Sequence, residues 1–265
     1  MTSPSATAEL SQPVVEALAR AGVYGLLARA FLYRAEGSDD LLTAAELAEG
    51  LRQSLDLLPV TEGLRREATS LGRALEGKGD RDLAAALGLL SHAHTATGLP
   101  YETEYTVTDV FLKAHQLADV AGFYRAFGLE VGGERHERPD HLAVELEFMY
   151  FLALKEAHAC RSGHAEGAEI CIDAQKKFLQ DHLGRWLNVF QEQLRLSGAG
   201  RIYRALVRLA GRYVSWDARR LGARPRRVRA AAKVAVKPTL DASCPAASAG
   251  PCEQAGPYLP EQGGE

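Results

Sequence analysis

Between Leu142 and Ala157 apolar side chains fall on nearly every face of a helix, with Leu142, Leu146, Phe148, Met149, Tyr150, Phe151, Leu152 and Leu154 in sixteen residues. A helix greasy all round needs packing partners on all sides, so this one is expected to run through the middle of a helical bundle. That segment constrains the chain more than any other.

The rest of the sequence supplies the partners. Ser11 and Pro13 make a helix start, and Val15, Leu18, Ala19, Gly22, Val23, Leu26, Leu27, Ala30 and Phe31 recur at the spacing of one helical face. A second helix is expected from Thr43, with Leu47, Leu51, Leu55 and Leu58 as its stripe and Pro59 as its end. Thr61 and Asp80 are candidate caps for two more, carrying Leu64, Ala68, Leu71 and Leu75, then Leu83, Leu87 and Leu90. After the interruption TGLPYETEYT, Thr108 is the expected cap of a helix with Val110, Ala114, Leu117, Ala121 and Tyr124 facing inward, stopped by Gly128. The paired glycines and charges of LEVGGERHER suit an exposed hinge near 130–138, after which Pro139 restarts a helix in its first turn. One long helix is expected to hold Ile170, Phe178, Leu183, Trp186, Leu187, Phe190 and Leu194, and a last one Ile202, Leu206, Leu209, Tyr213 and Trp216. No stretch reads as a strand. The expectation is an all-α chain with a single helical-bundle domain over 11–220, followed over 221–265 by a basic and then low-complexity tail with too little apolar content to order itself.

Composition narrows the class. With 46% hydrophobic residues in 265 there is enough to build a core, yet no apolar run reaches the roughly 18 residues of a membrane span, and MTSPSATAELSQ has no basic segment leading into an apolar one. A cytoplasmic location is expected. Four cysteines without a C-x-x-C pair give no zinc or disulfide framework.

Catalytic signatures are absent. His141 and Glu145 stand four apart on one helix face, but H-x-x-x-E lacks the second histidine of a zinc-binding H-E-x-x-H, so no metal site is expected. There is no nucleophile elbow, and the glycines at 132 and 133 are followed by acids that would repel a phosphate. Neither an enzyme nor a resident cofactor is expected. Charge is divided instead: residues 102–147 hold ten acids against four bases, whereas 201–237 hold twelve bases against Asp217 alone. The acidic stretch also carries Tyr101, Tyr105, Phe123, Tyr124 and Phe127, a combination that complements a basic and apolar peptide. The basic stretch raises an alternative, a helical nucleic-acid adaptor working through its arginines, although no binding-fold signature accompanies it.

Pro139-Asp140-His141-Leu142 followed by Glu145-Leu146-Glu147-Phe148-Met149 resembles the P-x-D-H-[IL]-x-x-E-L-x-F-M signature of the TorD/DmsD/NarJ redox-enzyme chaperones. PYETEY at 100–105 and ADVAGFYRAFG at 118–128 are similar to the branch serving dimethylsulfide-dehydrogenase-like molybdoenzymes. The resemblance covers roughly 15–215. It implies a cytoplasmic all-helical chaperone that binds the apo catalytic subunit of a molybdenum-bis(molybdopterin guanine dinucleotide) oxidoreductase, its twin-arginine signal peptide, or both. Such a chaperone assists cofactor insertion before export and keeps no cofactor of its own. It further implies a client site formed by Tyr101, Glu102, Glu104, Tyr105, Phe123, Tyr124, Pro139, Asp140, His141 and Glu145.

Overall fold

A computed structural model describes residues 10–32, 42–77, 99–107, 109–132, 137–196 and 199–229. Among them the chain is all-helical: α1 Gln12–Phe31, α2 Ala44–Asp56, α3 Glu62–Leu75, the single turn α4 Thr103–Thr106, α5 Val110–Ala126, α6 Leu142–Arg161, α7 Ala165–Asp181, α8 Leu183–Leu196 and α9 Arg201–Arg220. The expected helix after Asp80, residues 133–136 of the expected hinge and the tail from 230 lie outside the described residues. No described helix is long and apolar enough to cross a membrane.

Local chemistry explains most of the boundaries. Thr43 and Glu46 form a reciprocal capping box, the Glu46 N–H donating to Thr43 Oγ1 at 3.1 Å and the Thr43 N–H to Glu46 Oε2 at 2.8 Å. Gly128 takes φ 73°, the Leu129 N–H returning to the Tyr124 carbonyl and the Gly128 N–H to that of Arg125, both at 3.0 Å. This is a Schellman closure that a side chain at 128 would strain.

The helices close on themselves as a ring: α1 packs on α2, α2 on α3, α3 on α9, α9 on α8, α8 on α7, α7 on α6, and α6 along α1. The α1–α6 seam is the most extensive, and Gly25 of α1 lets the two helices approach closely there. A Cβ at Gly25 would sit 3.0 Å from the Tyr150 ring. Helix α6 is not enclosed on every side, as the apolar pattern suggests: Glu147, Tyr150 and His158, one strip of its surface, face outward.

Four expectations shift. Asp109, not Thr108, caps α5, accepting from the N–H groups of Phe111 and Leu112. Val110 and Ala114 of its expected inward face are exposed, and only Val120 and Tyr124 are buried. Helix α6 begins at Leu142 with His141 as its cap, so Pro139 and Asp140 precede the first turn. The expected helix through Ile170 and Leu194 is two helices, broken at His182 (φ −129°, ψ −99°). At that break Gly184 lies against the Leu179 carbonyl and Pro225, where a Cβ would collide with both.

Inside the ring sits a polar hub that the apolar periodicity does not announce. Arg20 has no exposed surface; its Nε and Nη2 donate to Asp217 at 2.8 and 3.0 Å, and its Nη1 to Glu156 at 2.8 Å. Gln175 accepts from Arg20 and donates to Glu156, while Tyr24 donates to Asp217. One cation thus meets two carboxylates, and the bonds bind α1, α6, α7 and α9 together. Burial alone would lower the Arg20 pKa, but Asp217 and then Glu156 raise it above the ordinary guanidinium value.

Candidate functional site

The loop 99–107 is stitched to the start of α6 by its backbone. The Leu142 N–H donates to the Pro100 carbonyl at 2.8 Å and the Glu102 N–H to the Asp140 carbonyl at 2.9 Å, an isolated antiparallel bridge between Tyr101 and His141. Two proline-marked segments, far apart in sequence, thereby present their side chains together.

Asp140 is buried and acts across this seam. Its Oδ2 accepts from the Thr103 N–H at 3.0 Å and the Thr103 hydroxyl at 2.8 Å, so it caps α4 instead of the helix that follows it. Arg138 grips the same carboxylate in a fork, Nε to Oδ1 at 3.0 Å and Nη2 to Oδ2 at 2.9 Å. Its guanidinium lies 4.3 Å from the centre of the Tyr101 ring. The Tyr101 hydroxyl donates to Glu137 at 3.0 Å, and burial first, then this bond, pushes its pKa up to about 12. His141 turns its Nδ1 onto the Ala143 N–H at 3.1 Å, which requires that nitrogen unprotonated; burial holds the His141 pKa below the usual imidazole value.

Behind this seam lies a carboxyl pair. Glu102 Oε2 is 3.1 Å from His182 Nδ1, and Glu145 Oε2 accepts from the Trp186 indole at 3.2 Å. Their other oxygens, Glu102 Oε1 and Glu145 Oε1, are buried and meet no N–H or hydroxyl donor among the described residues. Burial, then the charge of Glu102, raises the Glu145 pKa well above the carboxylate range. That shift favours the neutral, protonated form of Glu145 beside Glu102. His182 Nε2 is buried without a hydrogen bond and stands 3.5 Å from Asp119 Oδ2.

Aromatic rings form the wall. Tyr105 stacks on Trp186 with centroids 5.6 Å apart and donates its hydroxyl to the Leu99 carbonyl at 2.9 Å. Phe123 stands edge-on to His182 at 5.2 Å, and Tyr124 donates to the Pro139 carbonyl at 2.7 Å.

All ten residues singled out in the sequence meet here, but at two depths. Glu102, Tyr124, Asp140, His141 and Glu145 are buried; Tyr101, Tyr105, Phe123 and Pro139 are half-buried, and Glu104 is exposed. A partner arriving from solvent meets the second group. Sequence reasoning gives no role to Thr103, Arg138, His182 or Trp186, which hold the cluster together. Arg138, two residues from Asp140 and beside the signature, and Thr103, inside PYETEY, carry a local cue; His182 and Trp186 carry none. Among the described residues no group of His, Cys, Asp or Glu side chains has the arrangement of a metal site.

The model of the family described as nitrate reductase delta subunit matches residues 59–192 of this chain. Among curated proteins, the perchlorate reductase assembly chaperone protein of Dechloromonas aromatica is 37% identical over 98 residues, 37% of this chain and 43% of the relative. The chaperone protein TorD of Vibrio cholerae is 29% identical over 204 residues, 75% of this chain and 90% of the relative. The chlorate reductase assembly chaperone protein of Ideonella dechloratans is 34% identical over 113 residues, 43% of this chain and 56% of the relative. The matches to the perchlorate and chlorate relatives thus span about half of those proteins.

Proposed function

The chain belongs to the nitrate reductase delta subunit family, and from that membership we propose that it is an assembly chaperone, not a catalyst, for the catalytic subunit of a molybdenum oxidoreductase. Two of the curated relatives are named as reductase assembly chaperones, and the chaperone protein TorD aligns along most of its own length. In this reading the chain works in the cytoplasm, holds the apo catalytic subunit, its twin-arginine signal peptide or both, and releases it after the molybdopterin guanine dinucleotide cofactor is in place. The cofactor is the client's cargo; the chaperone keeps none.

One observation supports a client site here: two of the segments with family-like motifs, 100–105 and 139–149, are hydrogen-bonded to each other and bring an acid-rich, aromatic surface to one place. Tyr101, Glu104, Tyr105, Phe123 and Pro139 form its reachable rim. Glu102, Tyr124, Asp140, His141 and Glu145 shape it from behind. Aromatic faces and carboxylates suit a segment that is both apolar and basic, since one buries the greasy side chains and the other attracts the charge.

The test is recovery of the partner. A tagged full-length chain, expressed in its native cytosol and purified without crosslinking, is expected to bring down a molybdoenzyme catalytic subunit still carrying its leader, identified by mass spectrometry. Recovery of nucleic acid with no such subunit would favour the adaptor alternative.

A further inference from the structure

Helix α9 carries Arg201, Arg204, Arg208, Arg212 and Arg219 at steps of three, four, four and seven, a single side of the helix. At 1.5 Å per residue that row is about 27 Å long. It borders two cavities, of about 340 and 450 Å³, that share Asn188 and Gln191 of α8 and so form one trough between α8 and α9. Arg195 of α8 and Arg227 add to it. Arg227 arrives on an extended segment that is pinned to α8, the Val228 N–H donating to the Arg185 carbonyl at 2.9 Å and Asn188 donating to the Val228 carbonyl at 3.0 Å.

Seven arginines here meet two acids. Glu67 bridges Arg208 at 2.7 Å and Arg212 at 3.2 Å, and Glu192 holds Arg195 at 2.7 Å. Arg227 donates to the Ser215 hydroxyl at 2.8 Å. Among the described residues no carboxylate pairs with Arg201, Arg204 or Arg219, so the trough carries charge at both ends that these residues do not neutralise.

We propose that this trough docks an acidic segment of a protein partner, whose Asp and Glu side chains pair with Arg201, Arg204 and Arg219. The trough already shows the pairing chemistry: every one of its ion pairs is guanidinium on carboxylate, the planar match that arginine makes in two-pronged form. Its length accommodates about eight residues of extended chain at 3.3 Å each. A single-stranded nucleic acid would need exposed aromatic rings for its bases, and the one ring lining the trough, Trp216, is buried. A membrane would need exposed apolar side chains to insert, and the apolar liners Leu64, Leu187, Leu194 and Val214 are all buried.

This surface is separate from the client site. Helix α8 stands between them, turning Trp186 and Phe190 to Tyr105 while Asn188 and Gln191 line the trough. The proposal therefore stands or falls independently of the client reading.

The test is fluorescence anisotropy of the full-length chain with a labelled eight-residue glutamate peptide at low salt, beside the same-length glutamine peptide, a duplex DNA and phosphatidylglycerol vesicles. Arg201→Glu/Arg204→Glu and, independently, Arg219→Glu are compared with Arg66→Glu/Arg73→Glu, two exposed α3 positions whose reversal makes the same change in net charge as the first pair. The glutamate peptide is expected to bind, the glutamine peptide not. Binding should weaken about tenfold or more in the first double variant, and measurably in Arg219→Glu, with the α3 variant close to wild type. No binding of the glutamate peptide, an equal loss in the α3 variant, or tighter trough-dependent binding of DNA or vesicles would overturn the proposal.

Discussion

Two buried polar clusters lie in this bundle, and they are built on opposite principles. Around Arg20 one cation meets two carboxylates and Gln175, which accept from four of its five N–H bonds. Around Glu145 two carboxyl groups share a buried site where burial favours the neutral form of Glu145, and among the described residues two of their oxygens and the His182 Nε2 have no hydrogen-bond partner. A well-matched network locks helices in place, while buried polar atoms left without a partner weaken a fold unless something else satisfies them. The first cluster is the bundle's clamp. The second backs the surface where two of the family-like motifs converge.

That contrast can be broken first at the clamp. Arg20→Ala leaves Asp217 and Glu156 buried without their cation and is expected to cost about 3–5 kcal/mol in urea unfolding, the largest effect of any single change considered. A loss below about 1 kcal/mol would mean the cluster is not a clamp. Next comes the seam: Asp140→Ala removes the acceptor for Thr103 and Arg138 and is expected to cost about 1–3 kcal/mol, whereas Asp140→Asn keeps one oxygen for Thr103 and should lose less. Equal losses would show that the charge, not the cap, holds loop 99–107.

The carboxyl pair predicts a pH effect with a definite sign. Glu145 has its folded pKa raised above the unfolded value of 4.5, so its contribution is complete below that value and is lost as pH climbs towards the folded pKa. Glu145→Gln keeps a neutral donor for Glu102 and cannot ionise. Its melting temperature should match wild type in mild acid and exceed it in alkaline buffer; a wild type equally stable at pH 9 and pH 5 relative to the variant would contradict the raised Glu145 pKa. His141 works the other way, because its depressed pKa makes its contribution present above the unfolded 6.5 and lost as pH falls through the folded value. His141→Asn, which can still cap α6, should lessen destabilisation in acid.

The sequence announces the helices and not the clusters. Thr43, Thr61, Pro59 and Gly128 mark ends through local bonds, so α2, α3 and the close of α5 are legible from neighbours alone. The break at His182 is not, because it depends on Gly184 meeting Pro225, forty-one positions on. Arg20 and Asp217 are 197 residues apart, and nothing near either names the other. The ten candidate residues are legible because they sit in three compact motifs, 100–105, 118–128 and 139–149. That five of them are buried follows from how those motifs fold onto each other, and periodicity carries no record of it. Helix α5 misled for a related reason: apolar on all sides, it is packed only near its C-terminal end, and Val110, Phe111 and Leu112 stand 76%, 82% and 56% exposed.

The smallest expected effect on stability comes from the rim, and it tests the central claim. Tyr101→Ala and Glu104→Lys alter side chains at the reachable surface and should each change unfolding free energy by no more than about 1 kcal/mol. The decisive measurement is calorimetric titration of wild type and both variants with the recovered client's signal peptide and with its apoprotein. The account predicts wild-type binding to at least one of the two and an affinity loss of about tenfold or more in each variant, with Glu104→Lys losing less at high salt. Unchanged affinity for both ligands in both folded variants would contradict a client site at the seam of 100–105 and 139–149.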